Sequence, residues 1–188
     1  PDDFSQTCAA LDERSAAKDS DVTVTSTLPI MTDNVTFTFG GKSETVQLIV
    51  IPDDRTGDLG DYVRLEDESK EPLALRDGDV YLSKSSQLVL GIQPGDTAHV
   101  QDSSLNVAKV KVSDISLNYL GNTLYMTQST YERAFGRSAR LNGVFVLLKG
   151  SSADQIAFSK KIKSDGWLTI SSTAEHWQNY EANFTIIN

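Results

Sequence analysis

Residues Asp77–Asp102 read DGDVYLSKSSQLVLGIQPGDTAHVQD, and this stretch decides the fold. Val80–Leu82 is a short β-prone run. Ser83 stands where a helix cap is wanted, because its hydroxyl can accept an orphan N–H of the first turn. Leu88 and Ile92, four apart, are expected on one side of the short helix that follows. Gly91 sits where a left-handed residue ends such a helix. Pro94-Gly95 is a turn, since Pro presets φ and Gly takes the positive φ of a type II turn. The strand Thr97–Gln101 follows. Every residue in this unit has a scaffold reading, and none suggests chemistry.

Downstream, Asn106–Tyr119 reads as a long strand or a bent pair. Ala108, Val110 and Val112 share one face and Lys109 and Lys111 the other, with a phase change near Ser113-Asp114. Gly121-Asn122 is a turn and Leu124–Met126 a short strand. Gln128–Phe135 is a helix capped by Thr127, with Met126 and Tyr131 at staple positions and Gly136 as its stop. Tyr119, Leu120 and Tyr125 bracket the turn. They could form an exposed aromatic tip that contacts a partner, or belong to the core.

Two segments, VYLSKSSQLVLGIQPGD (80–96) and AKVKVSDISLNYLGNTLYMTQSTYERAFG (108–136), resemble the extracytoplasmic domain of FtsX/MacB-like ABC transporter permeases. In that family a strand, a helix ending in a Gly-Ile…Gly-Asp turn, and strands leading to a Tyr-Met and Tyr-Glu…Phe-Gly pattern recur between two membrane spans. The resemblance covers Asp77–Gly136 well and residues 1–70 loosely. It rests on a fold pattern, not on catalytic residues. It implies a bacterial membrane protein whose domain lies outside the membrane, joined to flanking transmembrane helices and driven by a separate cytoplasmic ATPase. It also implies an extracellular partner or an exported substrate.

Upstream, residues 2–18 read as a helix with Phe4, Cys8 and Leu11 as its apolar stripe. Cys8 is a small buried hydrophobe or a reactive thiol. Residues 22–28 and 35–39 alternate as two strands, Gly40-Gly41 turns, and Thr45–Ile51 returns. Val46–Ile51 is apolar throughout, so this strand is expected at the centre, covered on both faces. Residues 53–71 are acidic and turn-rich, with a short strand expected at Tyr62–Leu65. The DDRTGDLGD spacing does not match a calcium loop, and Arg55 stands where a ligand oxygen is needed. Val144–Leu148 is a second central-strand candidate. Ser151 caps a helix running to about Lys163, and Trp167–Ile170 is a strand. Ser172-x-x-Glu175 is a capping box opening a last helix with the stripe Trp177, Tyr180, Phe184 and Ile187.

This order of elements predicts an α+β fold. A mixed sheet with packed helices forms a porter-like first lobe, about 1–69 plus 141–188, and a β-rich lobe, about 70–140, is inserted into it. The terminal stripes, Phe4 and Leu11 against Trp177, Tyr180 and Phe184, either pair as an antiparallel stalk standing on the membrane or pack separately on the sheet.

A chain of 188 residues buries roughly 70% of its unfolded surface, so it needs neither disulfide nor metal to fold. The single cysteine excludes an internal disulfide and does not decide the compartment. A net charge of −9 argues against nucleic acid as a partner. No run of 18 apolar residues is present. The start at Pro1-Asp2-Asp3 reads as a piece of a larger protein, although processing would look the same. His99 and His176 are the two histidines, and no zinc spacing, G-x-S-x-G elbow or phosphate-binding glycine loop occurs. Asn34 and Asn183 head sequons that carry no meaning in a bacterial protein. No catalytic residue, metal or cofactor is therefore assigned. The functional reading is a non-catalytic extracytoplasmic permease domain that relays ATP-driven motion or contacts substrate or partner. The alternatives are a small enzyme or accessory domain using carboxylates of the 53–68 loop, or a cell-surface binding module.

Overall fold

The computed structural model describes residues 22–117, 121–151, 153–158, 169–172 and 183–187. The fold is α+β, with ten strands and short helices between them among the described residues. It divides into two compact units, Pro1–Pro29 with Leu141–Asn188, and Ile30–Arg140. The sequence reading placed residues 30–69 in the first lobe. In the structure they belong to the second unit, because β1 (Thr23–Phe39) and β2 (Lys42–Ile51) enter its sheet.

β1 and β2 form a hairpin with Met31 opposite Val50 and Phe39 opposite Lys42. Gly40 and Gly41, with φ of +56° and +79°, make the two-residue turn. A type I′ turn needs positive φ at both central positions, which glycine reaches without a Cβ clash. The expected strands at 22–28 and 35–39 are one strand, in which Pro29 precedes the first β1–β2 pair and so deprives that ladder of no donor.

β2 pairs in parallel with β7 (Thr123–Thr127), and β7 pairs antiparallel with β3 (Val80–Ser83). β3 pairs in parallel with β6 (Asp114–Ser116). On the other side of β2, β1 carries β4 (Thr97–Gln101), and β4 carries β5 (Val107–Lys111). Thus the described part of this stretch, 106–117, is the bent pair, not one strand: β5 and β6 separate at Val112-Ser113 and take different partners.

Side chains two apart fill one face of this sheet. Val35, Phe37, Val46, Leu48, Val50, Val80, Leu82, Val100, Val110, Leu124 and Met126 make one buried cluster. It is closed by Leu90 and Ile92 at the end of α2 (Lys84–Leu90) and by Tyr131 of α3 (Gln128–Phe135). The opposite face is buried too. Ile49, Tyr125 and Tyr81 follow one another across β2, β7 and β3. The Tyr81 hydroxyl reaches Ala74 O (2.9 Å) and Asp79 Oδ2 (2.8 Å), tying the 72–79 segment over that face. β2 is therefore central and covered on both sides, as its apolar run predicts.

The helix ends follow their chemistry. Gly91 and Gly136 adopt left-handed φ of +75° and +66°, closing α2 and α3. Thr127 Oγ1 accepts from Thr130 N, the expected cap. Ser83 occupies its cap position without a capping bond; its hydroxyl faces Ser86 and accepts from Thr123 N instead. The structure corrects two further expectations. Leu88 is 71% exposed while Ile92 is buried, because a helix of two turns ending in a left-handed glycine swings Ile92 off the helical spiral. Tyr62 ends a short helix, α1 (Leu59–Tyr62), rather than opening a strand. The bonds Leu73 N–Leu65 O and Asp67 N–Glu71 O close a local loop, leaving 62–65 no ladder to join.

In the other unit, β8 (Gly143–Lys149) pairs with β10 (Asn183–Ile187), and β10 with β9 (Thr169–Ser172). The expected strand at Val144–Leu148 is β8. The expected last helix is not helical at its end: Phe184 and Ile187 lie on β10, opposite Val146 and Gly143. The run Thr185-Ile186-Ile187 is β-branched, which favours a pleated strand over a helix. The sequence-predicted helix over 2–18, with Phe4, Cys8 and Leu11, lies outside the described residues, as do Trp177 and Tyr180.

Burial lifts the phenol of Tyr81 well above its ordinary 10.0, with the Asp79 carboxylate adding to it. Burial also raises Tyr131, against the opposing hydrogen bond from Arg137. Both groups favour the neutral phenol in the fold. Their contribution to stability is complete below about pH 10 and is lost as pH rises through the folded values. Urea midpoints are expected to hold from neutral pH to about 10 and then fall, and Tyr81→Phe should make that fall shallower.

Candidate functional site

The best-built surface feature is the hairpin of β4 and β5. Its strands alternate cleanly, with Ala98, Val100, Ala108 and Val110 inward and His99, Val107, Lys109 and Lys111 outward. The loop DSSLN (102–106) joins them, and Asp102 organises it. Its side chain is fully buried. Asp102 Oδ1 accepts from Ser104 N (2.9 Å) and Asn106 N (2.8 Å), while Asn106 Nδ2 donates to both carboxylate oxygens. Arg137, just past α3, adds an ion pair from Nη2 to Asp102 Oδ2 at 2.7 Å. Arg137 Nε donates to Tyr131 Oη, also at 2.7 Å. The hydroxyl and N–H of Ser103 both donate to Asp33 Oδ2 on β1. The loop is thus tied to β1, to α3 and to itself.

This anchor holds an unusual tip. Leu105 has a φ of +66° and is 75% exposed. A left-handed residue with a Cβ costs roughly 1–2 kcal/mol, and nothing in the core repays it here. Leu105→Asn, which suits left-handed φ through its short polar side chain, should raise stability by about 0.5–1 kcal/mol. Chemical denaturation would measure it; a loss of stability would mean that the leucine side chain contributes to the fold.

The Asp102 oxygens are fully occupied by donors, and His99 makes no hydrogen bond or ion pair among the described residues. Five carboxylates of the 53–68 loop are engaged structurally. Asp53 accepts from Ser129 N (3.1 Å) and Ser129 Oγ (2.6 Å), capping the first turn of α3 from outside. Asp58 pairs with Arg55, Glu66 with Arg64 and Glu68 with Lys84. Asp67 Oδ1 closes its own turn on Ser69 N and Glu71 N. Among the described residues no three His, Cys, Asp or Glu side chains converge on a metal position. Asp53, Asp58, Glu66, Asp67 and Glu68 thus have structural partners, while Asp54 and Asp61 are exposed. Asp77 carries a similar duty: the Arg133 guanidinium donates to both its oxygens (2.6 and 3.0 Å) and holds its carboxyl below the usual range.

Of the residues expected at a partner-contacting tip, Tyr125 is fully buried in β7. That excludes it as a contact: β7 lies between β2 and β3, and both of its faces are covered. Tyr119 and Leu120 lie outside the described residues. Phe184 is on a strand, so the paired-helix stalk does not include it. The Asp102 anchor was missed by the sequence reading, which began the strand at Asn106. An Asp followed by Ser-Ser and, four on, by Asn between two alternating runs is the signal that could have found it.

No family model and no curated protein matches this chain. Among solved structures it is similar to the periplasmic region of MacB from Actinobacillus actinomycetemcomitans, with a TM-score of 0.45 and 16% identity over 95% of this chain and 78% of that one. It is also similar to the extracellular domain of the noncanonic ABC-type transporter YknZ from Gram-positive bacteria, with a TM-score of 0.48 and 15% identity over 95% of this chain and 88% of that one.

Proposed function

We propose that this chain is a non-catalytic extracytoplasmic domain of an FtsX/MacB-like ABC transporter permease. The observation that carries the reading is the way Asp77–Gly136 folds. The motif segments of the resemblance become strand β3, helix α2 with its left-handed Gly91, the Gln93–Asp96 turn, β4 to β7, and α3 closed by Gly136. Asp96 N donates to Gln93 O across the Pro-Gly turn, and Gly95 has a φ of +96°.

In this role the domain belongs to a membrane permease, with flanking transmembrane helices and a separate cytoplasmic ATPase. It relays ATP-driven motion or contacts a partner or exported substrate outside the membrane. A relay requires two states of the domain that the membrane segments favour differently, and a ligand shifts them only through unequal affinity.

The test is topology in the full-length parent. Asp54 is exposed on the 53–68 loop, so Asp54→Cys, in a parent background with Cys8→Ala and any other cysteines replaced, gives one accessible thiol. Labelling by a membrane-impermeant reagent in intact cells is the expected result. Labelling only after lysis would place the domain in the cytosol and overturn the proposal.

A further inference from the structure

We propose that the open edge of β5 receives an extended, acidic segment of a partner protein. β5 has one strand neighbour, β4, among the described residues. The phase of their ladder is set by Asp102 N donating to Asn106 O and Val112 N donating to Asp96 O. Ala108 and Val110 therefore exchange their backbone bonds with β4, and the N–H and C=O groups of Val107, Lys109 and Lys111 point away from it. The side chains of these three residues are exposed, Val107 at 58%. An added strand would satisfy these backbone groups and take its specificity from alternate side chains.

The charges select the occupant. Lys109 and Lys111 have no acidic partner among the described residues, and His99 lies opposite Lys109 on the same face. Lysines on an edge discourage neutral strands, because pairing would draw an ammonium out of water with nothing to compensate. A strand with carboxylates at alternate positions supplies that compensation. A second copy of this chain is a poor occupant, since antiparallel pairing of β5 about its centre sets Lys109 against Lys109. The overall charge of −9 does not cancel this local sign, because charges beyond about 8 Å are screened at physiological salt. The strained Leu105 and exposed Val107 sit at the end of the same edge and offer apolar contact. The proposal does not depend on the permease reading: it needs only the hairpin.

The test uses the 188-residue chain and a short synthetic peptide of alternating Glu and Val, beside the same peptide with Lys for Glu. Hydrogen exchange followed by NMR reads the amides of Val107, Lys109 and Lys111. The expected result is protection of these amides by the Glu peptide, weakening as salt is raised. The double variant K109E/K111E, at exposed positions that leave the core intact, should bind the Glu peptide about tenfold more weakly or worse and prefer the Lys peptide. Three results would overturn the proposal: no protection by the Glu peptide, equal protection by both peptides, or protection without peptide that grows with protein concentration. The last would assign the edge to a second copy.

Discussion

Tyr131→Ala is expected to cost about 3–5 kcal/mol of stability, the largest effect of any single change considered. Tyr131 belongs to the main core cluster and is fully buried. Its ring stacks on Phe135 with centroids 4.7 Å apart. Truncation removes the ring from the cluster and leaves a void that the sheet residues around it, each already paired in a ladder, can fill only in part. It also removes the acceptor of the Arg137 Nε bond. Tyr131→Phe keeps the packing and loses only that bond, so it should cost about 0.5–1.5 kcal/mol. Urea unfolding of both variants separates the two contributions. A Tyr131→Ala cost near that of Tyr131→Phe would mean that the core repacks around the site.

Asp102→Ala should cost about 2–3 kcal/mol. The carboxylate is buried and accepts from two backbone N–H groups, the Asn106 amide and Arg137. Breaking a fully buried ion pair costs roughly 3–5 kcal/mol. This pair should fall below that range, because the Arg137 side chain is 36% exposed and can rehydrate. Asp102→Asn retains an acceptor oxygen and is expected to recover about half of the loss. Hydrogen exchange adds a local readout. The amides of Ser104 and Asn106 should lose protection in Asp102→Ala well before the centre of β2 does. Uniform loss across the sheet would instead mean that the anchor is part of the global core. Because Arg137 joins Asp102 to Tyr131, the two losses should not add in the double variant.

Local rules were legible where chemistry and neighbours agreed. Thr127 caps, Gly91 and Gly136 stop, and Pro94-Gly95 turns, because each outcome is decided within four residues. Alternation placed Ala108, Val110 and Val112 inward for the same reason. The terminal stripe failed at Phe184 and Ile187, because spacings of three and four among Trp177, Tyr180, Phe184 and Ile187 satisfy a helix on paper. In the structure, pairing with β8 and β9 makes Asn183–Ile187 a strand. The extent of the inserted unit was hidden for a related reason. Nothing near β2 announces that its partner is β7, and that pairing draws residues 30–69 into the second unit. The candidate site was half readable. The outward lysines of β5 followed from alternation. The left-handed Leu105 did not, because no residue preference points to leucine there; it is held by the Asp102 bonds around it.

The parallel pairing of β2 with β7 also has a consequence for how the chain is made. Gln47 meets Thr123 across the ladder, and bringing together residues on the order of 75 positions apart costs closure entropy before any contact repays it. During synthesis, β2 emerges early with apolar side chains on both faces and one unsatisfied margin. It must wait for Thr123–Thr127 before its sheet can close. The unit should therefore assemble late and in one step, and a nascent chain stopped short of β7 should need a chaperone's cover to remain soluble.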